Sequence, residues 1–173
     1  MRKNFLLVAL ISAILLAFGS SSCFNESDND ADKYTPQREQ ELLKVYLDSL
    51  NRRGYDVDTT AKGVYLVKLQ NGEGATPKTG DTLSVMYVGY LMDGTIFDAS
   101  FYHFTDSCWT FVYKVDGAIE GWNEAMAYMN KGSRVEFIVP SGLAYGPKGA
   151  GFIPPYSSLI FVAKMKNIRP KQE

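Results

Sequence analysis

The sequence predicts an α+β fold, a curved antiparallel sheet packed on one short helix, with an amphipathic helix ahead of it. Three observations lead there. The stretches "TLSVMYVGY", "RVEFIVP" and "LIFVAKMKNI" alternate with the period of a strand. A single short stretch between them, "GWNEAMAYMN", repeats at helical spacing instead. The connectors are rich in Gly, Asn, Asp and Pro, as turns are. Apolar residues make up 46% of the 173 and charged residues 21%, a balance that supports an ordered core.

Residues 1–22 differ in kind from the rest. Arg2 and Lys3 precede an apolar run from Phe5 to Phe18 and then "GSSSC". A charged start, a short apolar run and small residues describe a secretory leader. A core helix or a permanent anchor would also carry such a run, but a full span needs about 20 apolar residues. Cys23 after three serines resembles a bacterial lipoprotein signal, in which cleavage leaves the cysteine first and its thiol takes a diacylglycerol. By that resemblance Cys23 is the lipidation site and the chain is held by a lipid anchor in the cell envelope. The reading extends to the outer membrane, on its periplasmic or surface face. The alternative is ordinary cleavage near Ser22, with Cys23 free or bridged to Cys108, the only other cysteine. Residues 23–34, "CFNESDNDADKY", are polar and acidic and read as a disordered tether.

A helix is expected from Thr35 to Arg53, within an N-terminal segment at 35–60. Thr35 suits the cap, Pro36 the first helical position, and Glu39 and Glu41 the positive end. Leu42, Val45 and Tyr46 recur at helical spacing beside Leu43, Leu47 and Leu50. This stripe needs a surface to bury against, either the main domain or a second copy, so the oligomeric state stays open. The main domain is expected over 61–173. A strand at Val64 to Leu69 leads through "NGEGATPKTGD" to the first alternating stretch, which puts Leu83, Val85 and Tyr87 on one face. The helical stretch puts Trp122, Met126 and Met129 on one face. Val135, Phe137 and Val139, then Leu159, Phe161, Ala163 and Met165, point inward from the last two strands.

Several chemistries are excluded. Removing residues 1–22 takes two of the 18 basic residues and none of the 19 acidic ones, so the formal charge moves from −1 to −3. That gives no basic patch for nucleic acid. His103 is the only histidine and no Cys pair has ligand spacing, so no metal is expected. No glycine motif cradles a phosphate, and no cofactor is implied. His103 with Cys108 makes a poor catalytic pair, because a nucleophile needs an oriented base.

What remains is aromatic. Tyr87 and Phe161 point inward from strands, Trp122 opens the helix, and Phe97 and Asp98 follow the Asp93-Gly94 turn. Trp109, Ile119 and Tyr145 lie near strand ends or loops. Such residues fill cores in most proteins, but apolar walls with a few convergent polar groups also make a binding pocket. The loop from Gly146 to Pro155 carries Phe152 and Ile153 at its tip, too apolar for an idle connector.

"YVGYLMDGTIFDAS", "AIEGWNEAM" and "AYGPKGAGFIPPYSSLIF" resemble, in order, the three signature blocks of FKBP-type peptidyl-prolyl isomerases. The likeness runs from about Gly63 to Ile168. It implies a half-barrel sheet over a short helix, with a proline pocket between them and Trp122 as its floor. By the same resemblance Tyr87, Phe97, Trp109, Ile119 and Phe161 bind substrate, and Phe152 and Ile153 close a flap over the prolyl ring. Tyr145 and Asp98 are the catalytic positions, Tyr145 holding the substrate carbonyl and Asp98 ordering its neighbours. The implied partners are proline-containing polypeptides exported from the cytoplasm. The alternative is an envelope lipoprotein that binds proline peptides or acts as a chaperone without catalysis. Lys114, Ala118 and Trp109 depart from the family pattern and alter the rim more than the floor.

Overall fold

The structure, a computed structural model, describes residues 33–172. The leader expected at 1–22, Cys23 and the tether up to residue 32 lie outside the described residues.

Helix α1 (Pro36–Arg52) starts as its sequence specifies: the Thr35 hydroxyl accepts from the Arg38 amide at 3.1 Å, with Pro36 in the first turn. Two short strands follow, β1 (Asp58–Thr59) and β2 (Tyr65–Gln70). Then come β3 (Thr82–Tyr90), β4 (Ile96–Ala99), a single helical turn α2 (Ser100–His103) and β5 (Trp109–Val112). Helix α3 (Glu120–Met126), β6 (Arg134–Val139) and β7 (Leu159–Arg169) complete the chain. All strand pairs are antiparallel, in the order β1-β2-β6-β7-β3-β4, with β5 also on β3.

The sheet is curved, and the register shifts show where. They fall at Lys68/Gln70 in β2 and at Ser84/Val85 and Gly89/Tyr90 in β3. An extra residue on one strand bends it and increases its twist. The edge of β3 is shared: β5 pairs with its start, from Thr82 to Val85, and β4 with its end, from Val88 to Tyr90. Between them the Ser100 hydroxyl receives the Tyr87 amide at 3.0 Å and donates to the Tyr87 carbonyl at 3.3 Å. One buried serine thus replaces the missing strand at the residue where the edge changes partner.

Strand alternation sends residues to two faces. The inner face packs Leu83, Val85, Phe137, Leu159, Ala163 and Met165 against Trp122, Ala125, Met126 and Met129 from α3 and the turn after it. The outer face is covered too. Leu50 of α1 is buried with Val67, Ile138 and Ile160, and Leu43, Tyr46 and Leu47 pack beside them. The Tyr46 hydroxyl donates to Glu136 on β6 at 2.7 Å. The helix therefore buries its stripe on its own chain's sheet. Leu42 and Val45 do not belong to that stripe; they face solvent at 38% and 63% exposure.

Candidate aromatic binding site

A cavity of about 500 Å³ opens on the inner face beside the start of α3. Trp122 is its floor. It sits in the first turn of α3, 2% exposed, and its ring lies 5.1 Å from Tyr87 on β3 and 5.3 Å from Phe161 on β7, both edge to face. Trp109 on β5 is 5.4 Å away on a third side and stacks on Phe111 at 4.2 Å. Phe97 on β4 meets Phe161 at 5.5 Å and 84°. Edge-to-face contacts suit the ring quadrupoles, and stiff rings held this way cannot collapse into the space between them.

The close approach of Phe97 and Phe161 depends on Gly89, which pairs with Asp98 on one side and Phe161 on the other. A Cβ there would stand 2.6 Å from Phe97 Cζ. Any larger residue would push an aromatic wall into the cavity.

Polar groups converge on one side. The Tyr87 hydroxyl donates to Asp98 Oδ2 at 2.6 Å, and the Ala99 amide donates to Oδ1 at 2.8 Å. His103 Nε2 lies 2.7 Å from the same Oδ1. Burial first, then the bond to Asp98 and its charge, pushes the Tyr87 phenol well above the usual tyrosine range. Tyr145, 40% exposed at the rim, is held above its ordinary value by burial and then by the Asp98 charge. Both phenols therefore keep their protons at neutral pH. The indole Nε1 of Trp122 is buried with no partner among the described residues.

Eight residues expected at the site line this one cavity: Tyr87, Phe97 and Asp98, then Trp109, Ile119 and Trp122, then Tyr145 and Phe161. Phe152 and Ile153 do not line it. The loop doubles back through an Ala150–Ile153 bridge, made by Gly149 at φ +63, where a Cβ would strike the Ile153 carbonyl. That turn sends the two side chains apart: Ile153 is 8% exposed in the main core and Phe152 is 95% exposed. Ala118 lines the cavity, and its small side chain leaves the wall thin there. Lys114 sits at φ +58, a left-handed position that glycine takes at lower cost.

Sequence reasoning missed Ser100, Gly89 and the role of His103. The first two satisfy or vacate space across strands, a relation that no local pattern carries. His103 is excluded from the sequence as a metal ligand, being the only histidine, and as a base for Cys108, since no third group is seen to orient it; the turn at α2 sets it against Asp98, five residues back.

A family profile for FKBP-type peptidyl-prolyl cis-trans isomerase matches residues 73–166, more than half of the chain. The chain belongs to the FKBP family. It is 39% identical over 142 residues to the FKBP-type 22 kDa peptidyl-prolyl cis-trans isomerase of Escherichia coli strain K12, covering 80% of this chain and 66% of that one. It is 36% identical to the peptidyl-prolyl cis-trans isomerase Mip of Coxiella burnetii, covering 70% of this chain and 51% of Mip. The crystal structure of FkpA from Escherichia coli superposes with a TM-score of 0.69 at 30% identity, over 84% of this chain and 63% of that one. The chain thus spans between half and two thirds of these relatives' own lengths. The half-barrel over a short helix is the FKBP arrangement, as the signature blocks imply.

Proposed function

We propose that this FKBP-family chain catalyses cis–trans isomerisation of X–Pro bonds in exported polypeptides. The observation that carries the reading is the aromatic cavity over Trp122, with a protonated tyrosine at its rim. Rotation about a peptide bond faces a barrier of ~18–20 kcal/mol, because resonance stiffens the C–N bond. X–Pro bonds populate both isomers and exchange slowly. No bond is made or broken, so the reaction calls for neither a nucleophile nor a cofactor. It calls for a site that fits the twisted amide better than either planar form.

The residues suit that task. Trp122, Tyr87, Phe97 and Phe161 offer a prolyl ring an apolar, water-poor seat, which disfavours the dipolar planar resonance form. The Tyr145 hydroxyl donates to the substrate carbonyl oxygen and holds it in place, while the prolyl nitrogen regains its lone pair as conjugation is lost. Asp98 acts through Tyr87: its carboxylate holds the phenol and orients one cavity wall, so it is a positioning residue rather than a proton carrier. The unpartnered Trp122 N–H is a further donor for a bound molecule.

The test is an isomerisation assay of the purified chain on short X–Pro peptides. Acceleration of cis-to-trans exchange that a Trp122 variant abolishes is the expected result. Binding of the same peptides without acceleration overturns catalysis and leaves a proline-binding or chaperone-like module.

The second part of the proposal concerns place. A charged start, an apolar run and "SSSC" support lipidation at Cys23 and a lipid-anchored protein of the cell envelope, at the outer membrane. Each buried methylene of an acyl chain contributes about 0.8 kcal/mol, so two or three chains on one residue give a stable anchor. Cys23→Ser is expected to release the protein from membranes and abolish acyl labelling. Unchanged membrane association in that variant overturns lipidation there.

A further inference from the structure

The segment from Ser141 to Ser158 carries Tyr145 and the loop above the cavity, and one side chain from outside the matched FKBP region touches both of its ends. Glu39, in the first turn of α1, receives the Ser141 amide on Oε1 at 2.6 Å and the Ser141 hydroxyl on Oε2 at 2.6 Å. The Ser158 hydroxyl donates to the same Oε1 at 2.5 Å. The two serines are nearly buried, at 5% and 2% exposure. The family match begins only at residue 73, so this acceptor comes from the preceding helix.

We propose that Glu39 is a positioning residue for the isomerase site, clamping both feet of the Tyr145 loop so that the Tyr145 hydroxyl is held at the cavity rim. The inference rests on the isomerase reading above. The links are short. Ser141 opens a tight turn in which the Leu143 amide donates to the Pro140 carbonyl at 2.9 Å and the Ala144 amide to the Ser141 carbonyl at 2.9 Å. Tyr145 is the next residue, so Ser141 sets where its Cα stands. At the other foot, Ser158 directly precedes β7, where Phe161 forms the cavity wall three residues on.

A carboxylate suits this place because it accepts on both oxygens and donates on neither. Hydrogen bonds to a charged acceptor are roughly twice as strong as neutral ones. Without Glu39, one backbone amide and two buried hydroxyls lose their acceptor together. Gln keeps one acceptor oxygen, which can still take the Ser141 amide and the Ser158 hydroxyl, so it is Ala that removes the acceptor from both feet. Asp keeps the charge and is one methylene too short. The helix is separately held to the sheet by Leu50, Tyr46 and Leu47, so losing the clamp need not detach it.

The experiment compares Glu39→Ala, Glu39→Asp and Ser158→Ala in the full chain with Lys44→Gln, which breaks only the exposed Lys44–Asp48 pair on the same helix. Rates on X–Pro peptides are read with melting temperature and amide hydrogen exchange across 141–158. Glu39→Ala is expected to lower kcat/KM several-fold, mainly in kcat and by no more than Tyr145→Phe does, and to speed exchange at Ser141 and the residues after it. Exchange in β2 and β6 should stay as in the unaltered chain, and Lys44→Gln should match it throughout. A double Glu39→Ala, Ser158→Ala variant should be little worse than Glu39→Ala, because both remove one linkage. A lower melting temperature with unchanged kcat/KM per folded molecule and unchanged exchange at 141–158 overturns the clamp. If the unaltered chain shows no isomerase activity, the functional reading fails, while the exchange data still decide whether Glu39 holds the loop.

Discussion

The two faces of the sheet are both buried, yet among the described residues the aromatic cavity opens on the inner one. On the outer face, Leu50, Val67, Ile138 and Ile160 close against one another with Leu43 and Leu47. Aliphatic side chains have rotamers enough to fill an irregular gap, so that face is packed shut. On the inner face Tyr87, Trp109, Trp122 and Phe161 meet at ring spacings of 5.1 to 6.4 Å, with about 500 Å³ left between them. Rigid rings propped edge to face cannot fold into that volume. The difference teaches that a binding site needs shape-holding walls as well as apolar ones.

Five substitutions break or sharpen this comparison. The largest effect is expected from Trp122→Ala, which removes both the floor of the cavity and the centre of the inner core. It should cost about 3–5 kcal/mol of stability and abolish isomerase activity, read by denaturant melts and peptide rates on the same sample. A stable, active variant would show that the indole neither packs nor seats substrate.

Leu50→Ala tests the other face. It is 1% exposed, so about 2–5 kcal/mol should be lost, while the rate per folded molecule stays unchanged. A rate that falls with stability intact would mean the outer face reaches the site more directly than its packing indicates.

Ile153→Ala lies between the two. As a loop tip, the residue is expected from sequence to support little core, but its 8% exposure within the inner cluster places it at the low end of the same range, about 2 kcal/mol. Some activity should be lost as well, because the loop it pins carries Tyr145. Phe152, 95% exposed, marks the contrast: its truncation should change stability by no more than about 0.5 kcal/mol.

The smallest effect on activity among the cavity-lining residues belongs to Tyr145→Phe, which removes one hydroxyl and keeps the ring. A lost hydrogen bond of about 0.5–1.5 kcal/mol predicts a several-fold fall in kcat with no change in melting temperature. The pH profile carries the same signature. Burial and the Asp98 charge raise the Tyr145 pKa above the free value near 10, so the donor is present at all lower pH and should persist as pH rises through 10. A rate that falls well below pH 10 in the unaltered chain, and not in Tyr145→Phe, would contradict that direction.

Strand and helix identity was legible because it rests on local spacing. Leu83, Val85 and Tyr87 alternate whatever they pack against, and Thr35-Pro36 announces a helix start within three residues. The signature blocks hold seven of the eight expected residues that line the cavity, all but Trp109, since each is carried by a short motif. β4 and β5 are four residues each, too short for alternation to register, and they were not legible.

The amino-acid order specified the half-barrel, its central helix and the aromatic content of the site, because periodicity and turn residues act over a few neighbours. It could not say which sheet face the first helix would cover, that Phe152 and Ile153 would point apart, or that Glu39 would reach residues 102 and 119 positions away. Those are outcomes of packing between distant segments. They depend on which surfaces meet, and a carboxylate's partners exist only once the chain has brought them within 3 Å of it.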